Sequence, residues 1–150
     1  MFRGANALSL DAKGRLTIPT RYRDLLQSAC QGRLVATVDH GPCLLIYPQP
    51  NWEVIERQLS DFPNFDEQTR QLQRLLIGFA TECELDAQGR ILLANTLREF
   101  ASLDKRVMLV GQVNKFELWD EQTWTEQCKR MLANRAGRDS ISDYLNTLSL

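Results

Sequence analysis

Leu10-Asp11-Ala12-Lys13-Gly14-Arg15-Leu16-Thr17-Ile18 returns in the second half of the chain as Leu85-Asp86-Ala87-Gln88-Gly89-Arg90-Ile91-Leu92-Leu93. Over 10–26 against 85–101, six of 17 positions are identical: Leu, Asp, Ala, Gly, Arg and, further along, Arg23 with Arg98. Such self-similarity at a fixed offset is the signature of a repeated structural unit. It continues downstream, where Arg33-Leu34-Val35 matches Arg106-Val107-Met108. Ile46-Tyr47 and Trp52 then match Leu118-Trp119 and Trp124. The pattern predicts two copies of one unit, at 1–61 and 80–134, a connecting helix within 62–79 and a polar tail from 135 to 150.

Asp-Ala-x-Gly-Arg between apolar runs reads as a tight hairpin. Gly14 and Gly89 supply the positive φ of a short loop, and the Asp carboxylate accepts from backbone N–H groups two residues on. A short helix follows from Thr20, with Tyr22, Leu25, Leu26 and Ala29 on one face. Its counterpart has Asn95 as N-cap and Leu97, Phe100 and Ala101 as its face. Two apolar strands come next, Arg33–Val38 and Cys43–Tyr47, matched by Arg106–Val110 and Lys115–Trp119. Each copy ends in an amphipathic helix, lined by Trp52, Ile55 and Leu59 or by Trp124, Cys128, Met131 and Leu132. The unmatched helix, from about Asp66 to Phe79, carries Leu72, Leu75, Leu76 and Phe79. One copy's short strands cannot enclose a core. Two copies paired about a pseudo-twofold axis can close a small β-barrel with the helices outside, an α+β fold.

Composition narrows the class of protein. With 43% hydrophobic and 25% charged residues the chain reads as globular rather than disordered. At 150 residues it can bury about 70% of its unfolded surface. The longest stretch without a formal charge, His40 to Trp52, holds Pro42, Pro48 and Pro50 and is too short and broken to span a bilayer. The N-terminus leads into no apolar signal core. Cys30, Cys43, Cys83 and Cys128 are widely spaced, with no Cys-x-x-Cys among them, which is no zinc pattern and fits reduced thiols in the cytoplasm. The near-neutral total hides an asymmetry. Residues 1–38 carry six basic against two acidic side chains, residues 39–126 eight against 15, and residues 127–150 four against two. A polyanion would meet the N-terminal end.

The doubled Asp-x-x-x-Arg turn (Asp11…Arg15, Asp86…Arg90), the Arg-Leu-Thr-Ile-Pro continuation at 15–19 and the chain length closely resemble the MraZ family. The resemblance covers essentially the whole chain. It implies a fold similar to the swapped-hairpin barrel of AbrB-type regulators, with two half-barrels in one chain. It also implies a bacterial, nucleoid-associated repressor that forms rings and binds repeated DNA boxes upstream of the cell-division and cell-wall gene cluster and its own gene. Asp11, Lys13, Gly14 and Arg15 carry the motif in the first copy, and Asp86, Gly89 and Arg90 in the second. Lys13 is matched by Gln88 and Pro19 by Ala94, so the second copy is expected to bind DNA less strongly or mainly to hold the barrel together.

Arg15 is the leading candidate for DNA contact, because a guanidinium can donate two hydrogen bonds to guanine O6 and N7 or clamp a phosphate. Lys13 suits a phosphate as a point charge. Arg90, Arg3, Arg21 and Arg23 are further candidates. Asp11 would repel the DNA backbone and is read as shaping the turn and holding Arg15. The plainer alternative is that Asp11–Arg15 and Asp86–Arg90 are surface ion pairs worth about 0–1 kcal/mol. Tyr22 and the tryptophans read as core or subunit contacts. A single tip binds DNA poorly, and identical tips on a ring gain through effective concentration. The stripe Leu72, Leu75, Leu76 and Phe79 is the candidate interface, with cover for the chain's own barrel as the equal alternative.

Two rival readings stand beside this one: an oligomeric scaffold that ignores DNA, and a small-barrel enzyme. For an enzyme, the sole histidine, His40, lies close before Cys43, and Glu82, Glu84 and Asp86 alternate along one strand face. No P-loop, Gly-x-Ser-x-Gly or His-Glu-x-x-His is present. The sequence asks for no cofactor, metal or small-molecule substrate.

Overall fold

A computed structural model of the chain describes residues 1–63, 65–134 and 147–149. The first repeat runs β1 (Phe2–Ser9), β2 (Arg15–Thr17), α1 (Thr20–Cys30), β3 (Arg33–Asp39), β4 (Cys43–Pro48) and α2 (Gln49–Asp61). After the connecting helix α3 (Glu67–Leu76), the second repeat runs β5 (Thr81–Glu84), β6 (Arg90–Leu92), α4 (Asn95–Phe100), β7 (Arg106–Val113), β8 (Phe116–Asp120) and α5 (Glu121–Ala133). The tail read at 135–150 lies outside the described residues apart from 147–149.

The strands form a six-stranded antiparallel sheet in the order β1-β7-β8-β4-β3-β5 and a two-stranded ribbon of β2 with β6. The repeats exchange strands. β1 pairs with β7 and β5 with β3, so each repeat's first strand lies against the other's third. The register gives the pseudo-twofold axis. In the ribbon Leu16 opposes its own counterpart Ile91, and across the sheet Leu45 opposes its counterpart Glu117.

Two sequence expectations change here. Within a repeat, the Asp-x-x-x-Arg turn joins strands that hardly pair with each other. Only a single bridge, Leu10 to Leu16, connects them. Both strands find better partners in the other repeat, which sequence adjacency does not reveal. Nor do hydrogen bonds draw a closed circuit, because the six-strand order ends at β1 and β5. The ribbon joins the sheet through side chains instead. Leu16 and Ile91, both 0% exposed, enter one core with Leu34, Ile46, Leu109 and Leu118. Each such buried side chain stabilises by roughly 1.5–3 kcal/mol.

The opposite face of the sheet carries Val35, Leu45, Tyr47, Val110 and Trp119 and is covered by Trp52, Ile55, Leu76 and Trp124 from the longer helices. With both faces covered, β3 and β4 show no polar–apolar alternation; their central residues are all buried. Buried Thr37 keeps its hydroxyl by donating to the carbonyl of Leu76, 2.6 Å away.

The short helices also differ in detail. In α1 the buried residues are Tyr22, Leu26 and Cys30, while Leu25 and Ala29 are exposed. The face meeting the core is one strict i, i+4 line, narrower than the stripe read from sequence. In α4, Asn95 is the first helical residue rather than the cap, and its amide donates to Glu99 Oε1 at 2.9 Å. Ala94 holds the cap position with φ −59° and ψ 143°, nearly the −54° and 140° of Pro19 at the start of α1. Replacing proline by alanine there leaves the backbone path unchanged.

Candidate nucleic-acid interface

Each Asp-x-x-x-Arg segment closes on itself. The N–H of Asp11 donates to the carbonyl of Arg15 at 3.0 Å, and Gly14 N–H to the carbonyl of Asp11 at 3.0 Å. Asp11 Oδ1 accepts from the backbone N–H groups of Lys13 and Arg15, both at 2.9 Å. Its Oδ2 accepts from Arg15 Nε at 2.6 Å. The second tip repeats this. Asp86 Oδ1 accepts from Gln88 and Arg90 N–H, and its Oδ2 from Arg90 Nε, all at 2.9 Å. These bonds favour the charged form. Led by the Arg15 backbone N–H, they bring the Asp11 carboxyl down to about 2, and the matching set lowers that of Asp86. Both aspartates are therefore ionised at neutral pH, and each arginine is held by Nε alone. Among the described residues the terminal nitrogens of Arg15 and Arg90 have no protein partner.

Each tip is locked by the other repeat. The carbonyl of Gly89 accepts from Ile18 N–H at 2.9 Å and that of Gly14 from Leu93 N–H at 3.0 Å. Arg23 Nε donates to the carbonyl of Ile18 at 2.6 Å and Arg98 Nε to that of Leu93 at 3.2 Å. The Arg98 side chain lies against Gly14, so a Cβ there would stand 2.5 Å from its Nε, and Arg23 crowds Gly89 in the same way. Both glycines also need positive φ, 84° and 74°. Sequence marked Arg23 as a phosphate candidate, but its Nε is engaged in this lock. The signal was available, since Arg23 and Arg98 are the one identity after the turn over 10–26 against 85–101.

The ribbon brings the two leading arginines together. Directly opposed residues of an antiparallel pair project from the same face. Arg15 opposes Leu92 and Thr17 opposes Arg90, with Leu16 and Ile91 between them pointing into the core. The outer face therefore consists of Arg15, Thr17, Arg90 and Leu92, with exposed Lys13 at one tip and Gln88 at the other. Sequence reasoning did not single out Thr17 and Leu92, although their spacing of two from each arginine was the sign.

Arg3 and Arg21 belong to another locality, where β1 meets α1. Arg21 Nη2 donates to Asn6 Oδ1 and to the Tyr22 hydroxyl, both at 2.7 Å, and its guanidinium lies 4.6 Å from the Tyr22 ring centroid. The Tyr22 hydroxyl in turn donates to the carbonyl of Arg3. Arg21 thus ties down β1, while the side chain of Arg3 is exposed. On the connecting helix, which ends at Leu76 rather than at the expected Phe79, Leu75 packs on the main core and Leu76 on the second; Phe79, just past the helix, joins the main core with its ring 5.5 Å from that of Phe100. Leu72 is half-buried.

The residues of the enzyme reading have ordinary surroundings. Cys43 is buried, and burial with Glu117 and Asp39 nearby pushes its thiol up, away from the reactive thiolate. His40 is exposed, as are Glu82 and Glu84. All four cysteines are free thiols. Among the described residues no helix is long and apolar enough to cross a membrane.

Comparison with known proteins agrees with the doubled tip. The family model for MraZ protein, of antitoxin-like description, matches the chain twice, over residues 1–75 and 76–140. The chain is similar to the transcriptional regulator MraZ of Thioalkalivibrio sulfidiphilus, 58% identical over 150 residues and covering all of both chains. The transcriptional regulators MraZ of Erwinia tasmaniensis and Pectobacterium carotovorum are 55% and 54% identical over 152 aligned positions, again along the full length of both chains. Two adjoining family matches and full-length relatives more than half identical place this chain in the MraZ family, as a transcriptional regulator.

Proposed function

We propose that the chain represses transcription by sequence-specific binding of double-stranded DNA, and that it is not an enzyme. Its targets are repeated boxes upstream of the cell-division and cell-wall gene cluster and of its own gene. It works in the cytoplasm on the nucleoid, as a ring of identical subunits. One observation carries the reading. Two arginines, Arg15 and Arg90, share the outer face of one narrow ribbon, each braced through Nε with its terminal nitrogens unpartnered among the described residues. That is the fork needed for guanine or phosphate. Lys13 adds a phosphate contact, and Arg3 and Arg21 extend the positive surface along β1 and α1.

We read the fold as the swapped-hairpin barrel of AbrB-type regulators, on the strength of the strand exchange and the ribbon packed into the sheet's core. The working units are 1–61 and 80–134, joined through 62–79. We assign subunit contacts to the stripe Leu72, Leu75, Leu76 and Phe79, because all four stay only partly buried where they pack on the chain's own cores.

The test is a mobility shift with the DNA upstream of the chain's own gene. Wild type is expected to shift it, more strongly with several boxes than with one and less as salt rises. Arg15→Ala is expected to abolish the shift while light scattering still gives a mass several times 17.2 kDa. Unaltered binding by the variant removes Arg15 from the site, and a monomeric mass removes the ring.

A further inference from the structure

The outer face of the ribbon holds an apolar side chain that packing among the described residues does not explain. Leu92 is 59% exposed, though both its neighbours, Ile91 and Leu93, are buried. It directly opposes Arg15, so the two side chains stand about 5 Å apart on one face. The pseudo-equivalent of Leu92 is Thr17, which opposes Arg90. The face is therefore symmetric in its arginines and asymmetric in their partners.

We propose that Leu92 is a specificity-determining residue that covers the C5-methyl group of a thymine beside the base pair met by Arg15. This rests on the DNA-binding reading above. The geometry and the charge point to duplex DNA. A two-stranded ribbon fits the major groove, and only the major groove displays both the guanine O6/N7 pair and the thymine methyl. The two ribbon arginines complement the DNA charge, whereas an apolar protein partner would strand terminal nitrogens that have no partner among the described residues. An exposed leucine next to a guanidinium matches a guanine followed or preceded by thymine. The Thr17 side matches a different step, so the ribbon reads a box without twofold symmetry despite its own pseudosymmetry.

The experiment uses the full chain and two duplexes of the region upstream of its own gene, one natural and one with uracil replacing every thymine. Wild type is expected to prefer the thymine duplex by about fourfold or more, the scale of one methyl group leaving water. Leu92→Ala and Leu92→Ser are expected to bind both duplexes alike, near the wild-type level for uracil, with unchanged oligomer mass. Arg15→Ala is expected to lose both. Equal wild-type affinity for thymine and uracil overturns the role of Leu92 and leaves DNA binding intact. So does a Leu92 variant that keeps the preference. Failure of wild type to bind either duplex overturns both readings together.

Discussion

The tip at Asp11–Arg15 and the tip at Asp86–Arg90 share one backbone and differ in chemistry. The carboxylate accepts from the arginine Nε at 2.6 Å in the first and 2.9 Å in the second. Both glycines take positive φ, and each tip is clamped by an arginine of the opposite repeat. Yet Lys13 in one tip corresponds to Gln88 in the other, and Thr17 corresponds to Leu92. Duplication kept the scaffold that aims a guanidinium, and the side chains that grade its surroundings diverged. In a repeated fold the turn geometry is constrained by mutual packing, whereas an exposed tip residue is constrained only by what it meets.

The sharpest contrast concerns the two arginines. Arg15→Ala is expected to weaken binding of the upstream DNA by at least about 10- to 100-fold, the scale of one lost bidentate contact. Arg90→Ala, beside neutral Gln88, is expected to cost less. Titration of both variants by mobility shift or fluorescence anisotropy compares them, and equal losses break the distinction between the tips.

The shared scaffold is tested next. Gly14→Ala and Gly89→Ala each force a side chain into positive φ and against a clamping arginine. Each is expected to lower stability by about 1–3 kcal/mol in urea unfolding. Similar losses uphold the equivalence; a tolerated alanine at one tip refutes it there.

A smaller effect isolates the charge difference. Lys13→Gln makes the first tip resemble the second. It is expected to weaken binding uniformly across sequences and to reduce the slope of log affinity against log salt by about 1. An unchanged slope means Lys13 touches no phosphate.

The smallest effect is that of pH. Asp11 titrates at about 2 in the folded chain, below its ordinary value, and Asp86 is lowered as well. A depressed carboxyl contributes stability that is complete above its unfolded value and is lost as pH falls through the folded one. The tips are therefore expected to hold through neutral pH and to loosen only between about pH 4 and 2. Carboxyl carbon shifts followed by NMR check this; a midpoint at the ordinary aspartate value for Asp11 contradicts it.

Much of this was legible along the chain. The doubled Leu-Asp-Ala-x-Gly-Arg segment announced two repeats, the tip glycines and the turn-shaping aspartates, because those properties arise between near neighbours in sequence. The helix order and most strand positions followed from apolar spacing. Partnership was not legible. That β1 leaves its own turn to pair with β7, or that Arg98 lies on Gly14, involves residues from opposite halves of the chain. The buried line of α1 and the uncapped start of α4 also depended on which surface each helix met.

By itself, then, the amino-acid order determined local shape: a turn that tightens, an arginine that projects, an aspartate that shapes the turn and holds it. Only the tertiary structure decided that the two turns are set on one ribbon, that their arginines share a face with Thr17 and Leu92, and that Arg23 and Arg98 clamp the opposite tips. The reason is physical. Backbone hydrogen bonding within a turn is settled by neighbours in sequence, whereas which side of a strand faces water depends on what packs against the other side.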